Sequence, residues 1–341
     1  MKAVINSNSL IEISKLIKAD EFSVVVKDED VKIIGTNTYE NESYIEQVVI
    51  KENSYGNEKN GYKTIPRNVI QLFPKNTTLI IDDDYIKSED QEIKLEYEAE
   101  ESNEIKFQSK KNAIISNFGE MTEGKYAVSI AETRPVLKCM YINKSDIVAL
   151  DGYRMSVRSY NNQVKNDSII IPSFIVDKFN KFNKKDVAFI FENDDYVRCC
   201  FGNINIVCSR HVGVDFIDYN ALLPKESKIE VTIDPSEVVS ICDKILKFGL
   251  DSKLIRMNFK KNKSEISFKT YDVEFKKSFK SNLQGEEIEM AFNPKYIVDA
   301  LKNYKGQAIL KIVDEISPML ITDGDKKKDL VLPIRLMRLY L

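Results

Sequence analysis

The sequence predicts an α+β protein that repeats one domain three times, with two helices and antiparallel sheets in each copy. Three kinds of element predict this fold: an amphipathic helix, a short helix opened by proline, and an apolar strand that ends in acidic residues. Each kind occurs three times, in the same order and about a third of the 341-residue chain apart. Repetition at a regular spacing indicates a repeated domain. We place the three predicted domains at 1–118, 119–227 and 228–341.

The first helix of each predicted domain is identified by its apolar spacing. Residues 8–18 and 234–248 place apolar side chains at helical intervals, and each begins with an asparagine or aspartate that can cap the helix. A weaker helical pattern occupies 123–132. The pattern predicts one such helix near the start of each domain.

The second helix is shorter and begins at a proline, whose missing amide hydrogen costs nothing in the first turn. The three segments are IPRNVIQLF at 65–73, IPSFIVDKF at 171–179 and NPKYIVDAL at 293–301. An apolar strand follows each of them, predicted at 78–84, 187–194 and 308–315. Further strands come next, such as 196–201 and 204–209 around a Gly-Asn turn.

Composition is that of an ordinary globular protein, with 43% hydrophobic and 30% charged residues. No apolar run approaches the ~18 residues of a spanning helix, and residues 1–18 lack the apolar core of a signal peptide. We therefore expect a cytoplasmic protein with no membrane contact. The five cysteines have no CxxC spacing and are expected to be reduced and buried. The sequence predicts no metal and no cofactor.

Four segments in the last two thirds of the chain resemble a known family. They are VALDGYRMSV at 148–157, DFIDYNALLPK at 215–225, AFNPKY at 291–296 and LVLPIR at 330–335. In content and order they resemble bacterial beta sliding clamps, the beta subunits of DNA polymerase III. ETRPVL at 132–137 resembles the start of the family's middle domain, whereas 1–118 resembles the family only in outline.

The resemblance implies three clamp-like domains and a head-to-tail homodimer that closes a ring, with helices inside and sheets outside. It implies a non-catalytic processivity factor that encircles double-stranded DNA independently of sequence and tethers a replicative polymerase. A separate ATP-driven clamp loader would open the ring. The polymerase, the loader and repair proteins would bind through short linear motifs.

Sliding needs attraction to phosphate without base readout, which lysine provides better than the bidentate guanidinium of arginine. The chain has a net charge of −3, yet basic residues outnumber acidic ones in the predicted inner helices. We therefore expect an electropositive hole within an acidic rim. The residues predicted to face DNA are Lys15, Arg67, Lys125, Lys178, Lys181, Lys184, Lys185, Lys244, Lys247, Lys295 and Lys302.

The resemblance also implies a hydrophobic pocket for partner peptides between the middle and last domains. The matching positions are Leu150, Gly152, Tyr153, Arg154, Met155, Ile217, Leu222, Leu330, Leu332, Ile334 and Arg335. Arg154 is expected to orient the peptide backbone or to stack near Tyr153. Leu150, Ile217 and Ala221 depart from the Thr, Pro and basic residue common in the family, which makes the predicted pocket more apolar.

Alternatives stay open for individual residues. Leu222 and Leu332 fit ordinary core packing as well as a pocket, and residues 152–154 fit a tight turn. The chain also continues past the family's usual end as LMRLYL at 336–341. Because Leu339, Tyr340 and Leu341 look like a partner motif, we hypothesise that this tail competes with partners for the pocket.

Two other functions are alternatives to a clamp. One is a clamp-like scaffold that binds partners without encircling DNA, since 1–118 is so divergent; it would be a monomer without a positive hole. The other is an enzyme. GNEKNGYKT at 56–64 nearly makes a phosphate loop but fits a polar hairpin better. Cys208 near His211 suggests a thiol nucleophile pair, but a surface or strand-end histidine explains it more simply.

Overall fold

The computed structural model describes most of the chain. The described residues are 1–28, 30–39, 44–52, 59–97, 100–115, 122–130, 134–159, 163–165, 168–182, 187–210, 215–249 and 254–336. They divide into two compact units, one made of 1–118 with 163–213 and the other of 119–162 with 214–341. The division into three domains at 118 and 227 stays a prediction.

The helices are few and short among the described residues. They are α1 (Ser7–Leu16), α2 (Arg67–Ile70), α3 (Ser173–Lys178), α4 (Pro235–Phe248) and α5 (Pro294–Leu301). Single 3-10 turns lie at Lys125–Ala127, Pro135–Lys138, Phe179–Lys181 and Tyr219–Leu222. Within this part of the chain, no helix combines the length and the apolar character that crossing a membrane requires.

Helices α1, α4 and α5 begin at side-chain caps. The side chains of Asn6, Asp234 and Asn293 each accept a hydrogen bond from the backbone N–H two residues later. Such caps satisfy amide donors that have no partner inside the helix. Helix α4 ends at Gly249, whose φ of 76° is the left-handed conformation that favours glycine.

The two predicted helices opened by Ile-Pro are shorter in the structure. Pro66 and Pro172 end strands in an extended conformation, with ψ of 145° and 151°, so the helix begins one residue later. The predicted helix at 123–132 is also wrong in extent. Only a short helical turn at 122–127 is present before the chain becomes irregular at 128–130, and 131–133 lie outside the described residues.

Strands are the main regular element of the described structure. Those in the first half are β1 (Lys2–Asn6), β2 (Glu21–Lys27), β3 (Asp30–Tyr39), β4 (Tyr44–Glu52), β5 (Gly61–Pro66), β6 (Thr78–Asp82), β7 (Tyr85–Lys87), β8 (Glu92–Lys94), β9 (Lys111–Ile115), β10 (Cys139–Asn143), β11 (Asp146–Leu150), β12 (Arg154–Ser159) and β13 (Gln163–Lys165). Those in the second half are β14 (Ser168–Pro172), β15 (Ala188–Glu192), β16 (Tyr196–Phe201), β17 (Ile204–Ser209), β18 (Ile229–Ile233), β19 (Ile255–Phe259), β20 (Lys263–Lys269), β21 (Glu274–Gln284), β22 (Ile288–Phe292), β23 (Ala308–Ile312), β24 (Met319–Thr322) and β25 (Lys327–Val331).

The first unit holds two antiparallel sheets. One has the order β1-β6-β7-β8, and the other has the order β13-β9-β15-β16-β17-β4-β3-β2-β5. The second sheet joins distant parts of the chain where β4 pairs with β17 and Val48 lies opposite Ile206. Leu10 and Ile13 of α1 are fully buried beneath these strands, which fixes the helix by apolar packing.

The second unit continues the same construction. Its strands follow the order β10-β11-β12-β25-β24-β23-β18-β21-β20-β19-β22. Strand β21 turns between two neighbours, since its first part pairs with β20 and its last residues pair with β18. Helices α4 and α5 pack together over this sheet through Val238, Ile241, Ile245, Ile297 and Leu301.

The strand order confirms the threefold repeat that the sequence predicts. The series β1-β6-β7-β8 recurs as β9-β15-β16-β17 and again as β18-β23-β24-β25. The series β2-β3-β4 recurs as β10-β11-β12 and as β19-β20-β21. Each repeat therefore contains the same two antiparallel sheets. One helix precedes the series that begins with β2, β10 or β19, and one helix follows that series. The first helix of the middle repeat is only a short turn.

Candidate functional site

The hairpin between β11 and β12 has a tight turn at its tip. Gly152 adopts a φ of 90°, which favours glycine. Asp151 Oδ1 accepts hydrogen bonds from the backbone N–H groups of Tyr153 at 3.0 Å and Arg154 at 3.1 Å. The turn leaves the side chain of Tyr153 61% exposed. Residues 152–154 are thus a tight turn that also presents an aromatic side chain to solvent.

Arg154 is held between two carboxylates and two aromatic rings. Its Nε donates to Asp151 Oδ2 at 2.9 Å, and its Nη1 donates to Asp299 Oδ2 at 2.7 Å. Its guanidinium carbon lies 4.5 Å from the Tyr296 ring centroid and 5.3 Å from that of Tyr126. Burial lowers the pKa of Arg154, but the hydrogen bonds to both carboxylates outweigh it, so the pKa lies above its ordinary value.

Only 10% of the Arg154 side chain is exposed. Its Nε and Nη1 donate to the two carboxylates, so Arg154 positions the turn, and its role in orienting a peptide backbone stays a prediction. Tyr153 packs on Tyr296, with ring centroids 6.2 Å apart, and Tyr296 is the ring that Arg154 covers. The exposed surface of this site is therefore that of Tyr153.

The end of β25 lies against the same turn. The backbone N–H of Leu332 donates to the carbonyl of Tyr153 at 2.9 Å. The backbone N–H of Ile334 donates to the carbonyl of Ala291 at 2.7 Å. Leu332 is 38% exposed, so it is not ordinary core. Ile334 is half-buried and Arg335 is exposed. This segment therefore forms a second, partly apolar edge beside Tyr153.

Buried apolar residues support these edges from below. Met155 lies opposite Leu150 on one side and opposite Leu330 on the other. All three are at most 4% exposed. They are the floor of the predicted pocket and belong to the hydrophobic core.

The segment 215–223 is fixed to the β10–β11 hairpin. Phe216 stacks on Tyr141 at 4.8 Å. The Tyr219 hydroxyl donates to Asp146 Oδ2 at 2.6 Å, and burial together with this carboxylate raises the pKa of Tyr219 to about 12. Leu222 is 45% exposed at the end of the 3-10 turn, and Ile217 is half-buried.

The structure thus brings 150–155 and 330–334 into direct contact, and Ile217 and Leu222 lie in the segment 215–223 that is fixed to the β10–β11 hairpin. Exposure of Leu222 and Leu332 argues against the alternative that they are core residues. Tyr126, Tyr296 and Asp299 complete the site, and the sequence interpretation missed them. The aromatic residue in the NPKY motif was the available signal for Tyr296.

A buried ion pair lies behind the site. Arg158 Nη1 lies 3.0 Å from Asp329 Oδ2, and both side chains are 0% exposed. The Tyr304 hydroxyl donates to Asp329 Oδ2 at 2.7 Å, and the Tyr126 hydroxyl donates to Asp329 Oδ1. Burial raises the pKa of both tyrosines, and the nearby Asp329 adds to it. The network joins the turn at 122–127 to β12 and β25.

Basic residues of the second unit line an open groove of about 440 Å³ between α4 and α5. Lys244, Lys247 and Lys302 contribute to its walls together with Asp243. Lys302 Nζ also donates to Asp299 Oδ1 at 2.7 Å. Other predicted DNA-facing residues of this unit differ in exposure, since Lys295 is exposed and Lys125 is half-buried.

A second groove, of about 580 Å³, lies in the first unit. It is lined by Lys15, Lys75 and Lys181 together with Glu12, and Lys181 Nζ donates to the backbone carbonyl of Lys15. Lys178 Nζ lies 4.5 Å from the centroid of the Phe174 ring. Lys184 and Lys185 lie outside the described residues, as do His211, residues 53–58 and the tail at 337–341.

Arg67, one of the residues predicted to face DNA, binds the end of α1. Its Nε donates to the carbonyl of Ala19 at 2.7 Å and its Nη1 to that of Ser14 at 2.9 Å, while its Nη2 donates to the carbonyl of Ile17. These carbonyls lie at and just beyond the end of α1, where helical acceptors have no partner in the helix. Arg67 therefore caps α1 with three of its five N–H donors, and its contact with DNA stays a prediction.

Comparison with known proteins gives one matching family model. Residues 220–335 match the model described as DNA polymerase III beta subunit, C-terminal domain. The chain is 26% identical to a beta sliding clamp of Chlamydia muridarum over 222 residues, which cover 62% of this chain and 60% of that protein. A beta sliding clamp of Staphylococcus aureus is also 26% identical, over 231 residues covering 63% and 61%. The matches span about three fifths of the length of these relatives.

Solved structures share the fold over nearly the whole chain. A putative DNA polymerase III beta subunit from Eubacterium rectale superposes with a TM-score of 0.85 at 17% identity, covering 98% of this chain and all of that one. A sliding clamp from Bartonella birtlesii, solved with griselimycin bound, has a TM-score of 0.85 at 16% identity with 98% and 100% coverage. These matches confirm the predicted fold.

Proposed function

We propose, from the premise that this chain is a divergent member of the DNA polymerase III beta subunit family, that it is a cytoplasmic DNA sliding clamp. Two copies close a ring around double-stranded DNA, and the ring holds a replicative polymerase near its template. The chain performs no catalysis. A clamp loader opens the ring, and loader, polymerase and repair proteins bind the site around Tyr153 through short peptides.

The observation that carries this proposal is a junction that the chain forms twice. Strand β4 is the last strand of the series β2-β3-β4. It pairs with β17, the last strand of the series β9-β15-β16-β17 in the next repeat. Strand β12 pairs with β25 in the same way. In the third repeat, β21 is equivalent to β4 and β12. In the first repeat, β8 is equivalent to β17 and β25. A second copy supplies the missing partner for each, and pairing β21 with the partner's β8 closes a ring of two chains.

The two edges that this proposal joins carry opposite net charge. The described residues around β8 include the exposed acids Glu89, Asp90, Glu92 and Glu96 against the exposed base Lys94. Strand β21 carries the exposed bases Lys276, Lys277 and Lys280 against the exposed acid Glu274. Complementary charge favours association of the two edges and disfavours pairing of β21 with a copy of itself.

The lysine-lined grooves support the DNA-binding part of the proposal. Each unit has a lysine-lined groove, with Lys15, Lys75 and Lys181 in the first and Lys244, Lys247 and Lys302 in the second. Flexible ammonium groups neutralise phosphate without reading bases. Such contacts let a ring move along DNA.

Partner binding is supported by the exposed apolar residues around Tyr153. Tyr153, Leu222 and Leu332 are each more than a third exposed, and Tyr153 and Leu332 are neighbours because the backbone N–H of Leu332 donates to the carbonyl of Tyr153. Exposed aromatic and aliphatic side chains of this kind anchor short peptides. Griselimycin, which is bound to the Bartonella clamp, is a suitable probe for this site.

The oligomeric state separates a clamp from a scaffold. Light scattering over a dilution series measures the mass of the full-length protein, whose single chain is 39.2 kDa. A dimer that persists into the micromolar range supports ring closure through β8 and β21. A monomer over the whole series contradicts the clamp and favours the scaffold.

A further inference from the structure

Asp299 of α5 bridges two basic residues that face different surfaces. Its Oδ1 accepts a hydrogen bond from Lys302 Nζ and its Oδ2 accepts one from Arg154 Nη1, each at 2.7 Å. The Lys302 side chain is 45% exposed, whereas those of Asp299 and Arg154 are only 15% and 10% exposed. The largely buried carboxylate of Asp299 therefore links the solvent-exposed Lys302 to the nearly buried Arg154.

The Arg154 end of this bridge leads to the partner site. Arg154 covers Tyr296, and Tyr296 carries the exposed ring of Tyr153. Arg154 also donates to Asp151, which holds the turn at Gly152. A change in how firmly Asp299 holds Arg154 therefore reaches Tyr153 through direct contacts.

The Lys302 end leads to the lysine-lined groove. Lys302 lines this groove together with Lys244 and Lys247. A DNA phosphate in the groove is an anion within reach of the same ammonium group that Asp299 now binds. Phosphate and Asp299 therefore compete for Lys302.

We infer that Asp299 couples DNA binding at Lys302 to partner binding at Tyr153, so that the clamp binds peptides more tightly when DNA is present. This inference rests on the proposed clamp function. When phosphate draws Lys302 away, the Asp299 carboxylate interacts with Arg154 alone. The charge-assisted hydrogen bond to Arg154 is then stronger.

A more firmly held Arg154 orders Tyr296 and Tyr153 before a peptide arrives. Ordering the site in advance reduces the entropy that binding must otherwise remove. Because coupling between two ligands is reciprocal, a peptide at Tyr153 raises the affinity for DNA by the same factor.

The test titrates labelled griselimycin against the full-length protein, with and without a saturating short DNA duplex. We expect DNA to tighten binding of the probe by about fivefold, at the low end of measured couplings. In Lys302→Gln, the affinity for griselimycin without DNA should already equal that of the DNA-bound unsubstituted protein. Adding DNA should not raise this affinity further. Asp299→Asn should abolish the coupling, and Asp299→Glu, which keeps the carboxylate, should restore most of it.

Lys247→Gln is the matched control, because it removes one ammonium from the same groove without touching Asp299. It should weaken DNA binding and retain the effect of saturating DNA on the probe. If both ligands bind the unsubstituted protein but the probe affinity is the same with and without DNA, the coupling is wrong and the clamp function stands. If coupling survives in Lys302→Gln, the coupling does not run through Asp299. If neither ligand binds at all, the proposed function fails and the coupling fails with it.

Discussion

Met155 lies opposite Leu330 where β12 pairs with β25, and this pairing joins two repeats of the chain. The equivalent junction in the first unit places Val48 opposite Ile206. Both junctions bury apolar side chains, with all four residues at most 3% exposed. The edges that we propose for the dimer differ, since exposed charges flank them.

Reversing charge on the β21 edge should weaken the dimer. We expect Lys276→Glu together with Lys277→Glu to raise the dimer dissociation constant about tenfold, or ~1.4 kcal/mol, because like charges then face β8 of the partner. Light scattering over a dilution series measures this change. Lys144→Glu with Lys225→Glu, which reverses two exposed lysines outside both strands, should leave the mass unchanged. An equal rise of the dimer dissociation constant in both double variants would argue against pairing of β21 with β8.

Truncating the exposed side chains at the partner site should weaken peptide binding without unfolding the protein. We expect Tyr153→Ala and Leu332→Ala each to weaken griselimycin binding at least about tenfold. The free energy of unfolding should change by no more than ~0.5 kcal/mol for Tyr153→Ala, since most of that side chain is already in solvent. Fluorescence titration and urea unfolding measure the two quantities.

Tyr271→Ala serves as the control for these variants. Tyr271 is fully exposed in the turn between β20 and β21, on a different hairpin from Tyr153. Its truncation should leave the affinity for griselimycin unchanged. A similar loss of affinity in this variant would mean that the probe does not report on the site around Tyr153.

Arg67 and Lys244 should separate stability from DNA binding. We expect Arg67→Gln to lower the free energy of unfolding by about 2 kcal/mol, because three carbonyl groups lose a charged donor. Lys244→Gln should change stability by no more than ~0.5 kcal/mol but should lower the slope of log affinity against log salt by about 1 per chain. Urea unfolding and DNA titration at several salt concentrations test both. A reduced salt slope in Arg67→Gln would contradict its role as a helix cap.

The sequence predicts those parts of the molecule that neighbouring residues determine. Helix α4 was predictable because Asp234, Pro235 and an apolar stripe all act locally. The ends of α2 and α3 were not, since the prolines that fit a first helical turn also fit the end of a strand. The capping role of Arg67 was not predictable because its acceptors lie about fifty residues earlier in the chain and only the fold brings them near.

The buried ion pair shows the same limit. Arg158 and Asp329 are 171 residues apart in sequence, so no local pattern in either strand predicts that they pair. The family resemblance identified Leu150, Met155 and Leu330 as pocket positions, yet burial makes them its floor. Asp299 lies in the repeated segment at 293–301, but nothing in that segment predicts its bridge between Arg154 and Lys302.

The buried thiols predict a loss of stability at alkaline pH. Burial raises the pKa of both Cys139 and Cys242 to about 12 from an ordinary value of 9.0. Because the folded protein holds these protons more tightly than the unfolded chain, their contribution is complete below about pH 9 and is lost as pH rises towards 12. Urea midpoints across this range should fall less in Cys139→Ala with Cys242→Ala than in the unsubstituted protein. An identical fall of the urea midpoint in the double variant and in the unsubstituted protein would contradict a role of these thiols in the pH dependence.

The claim that the protein encircles DNA is tested most directly by topology. The protein is loaded onto a nicked circular plasmid by a clamp loader, and the fraction that stays bound is measured by gel filtration before and after the plasmid is cut once. We predict retention on the circle at a salt concentration that removes ordinary phosphate contacts, and release within minutes of cutting because a ring slides off the free ends. Equal retention on circular and linear DNA, or release from both, would contradict a sliding clamp.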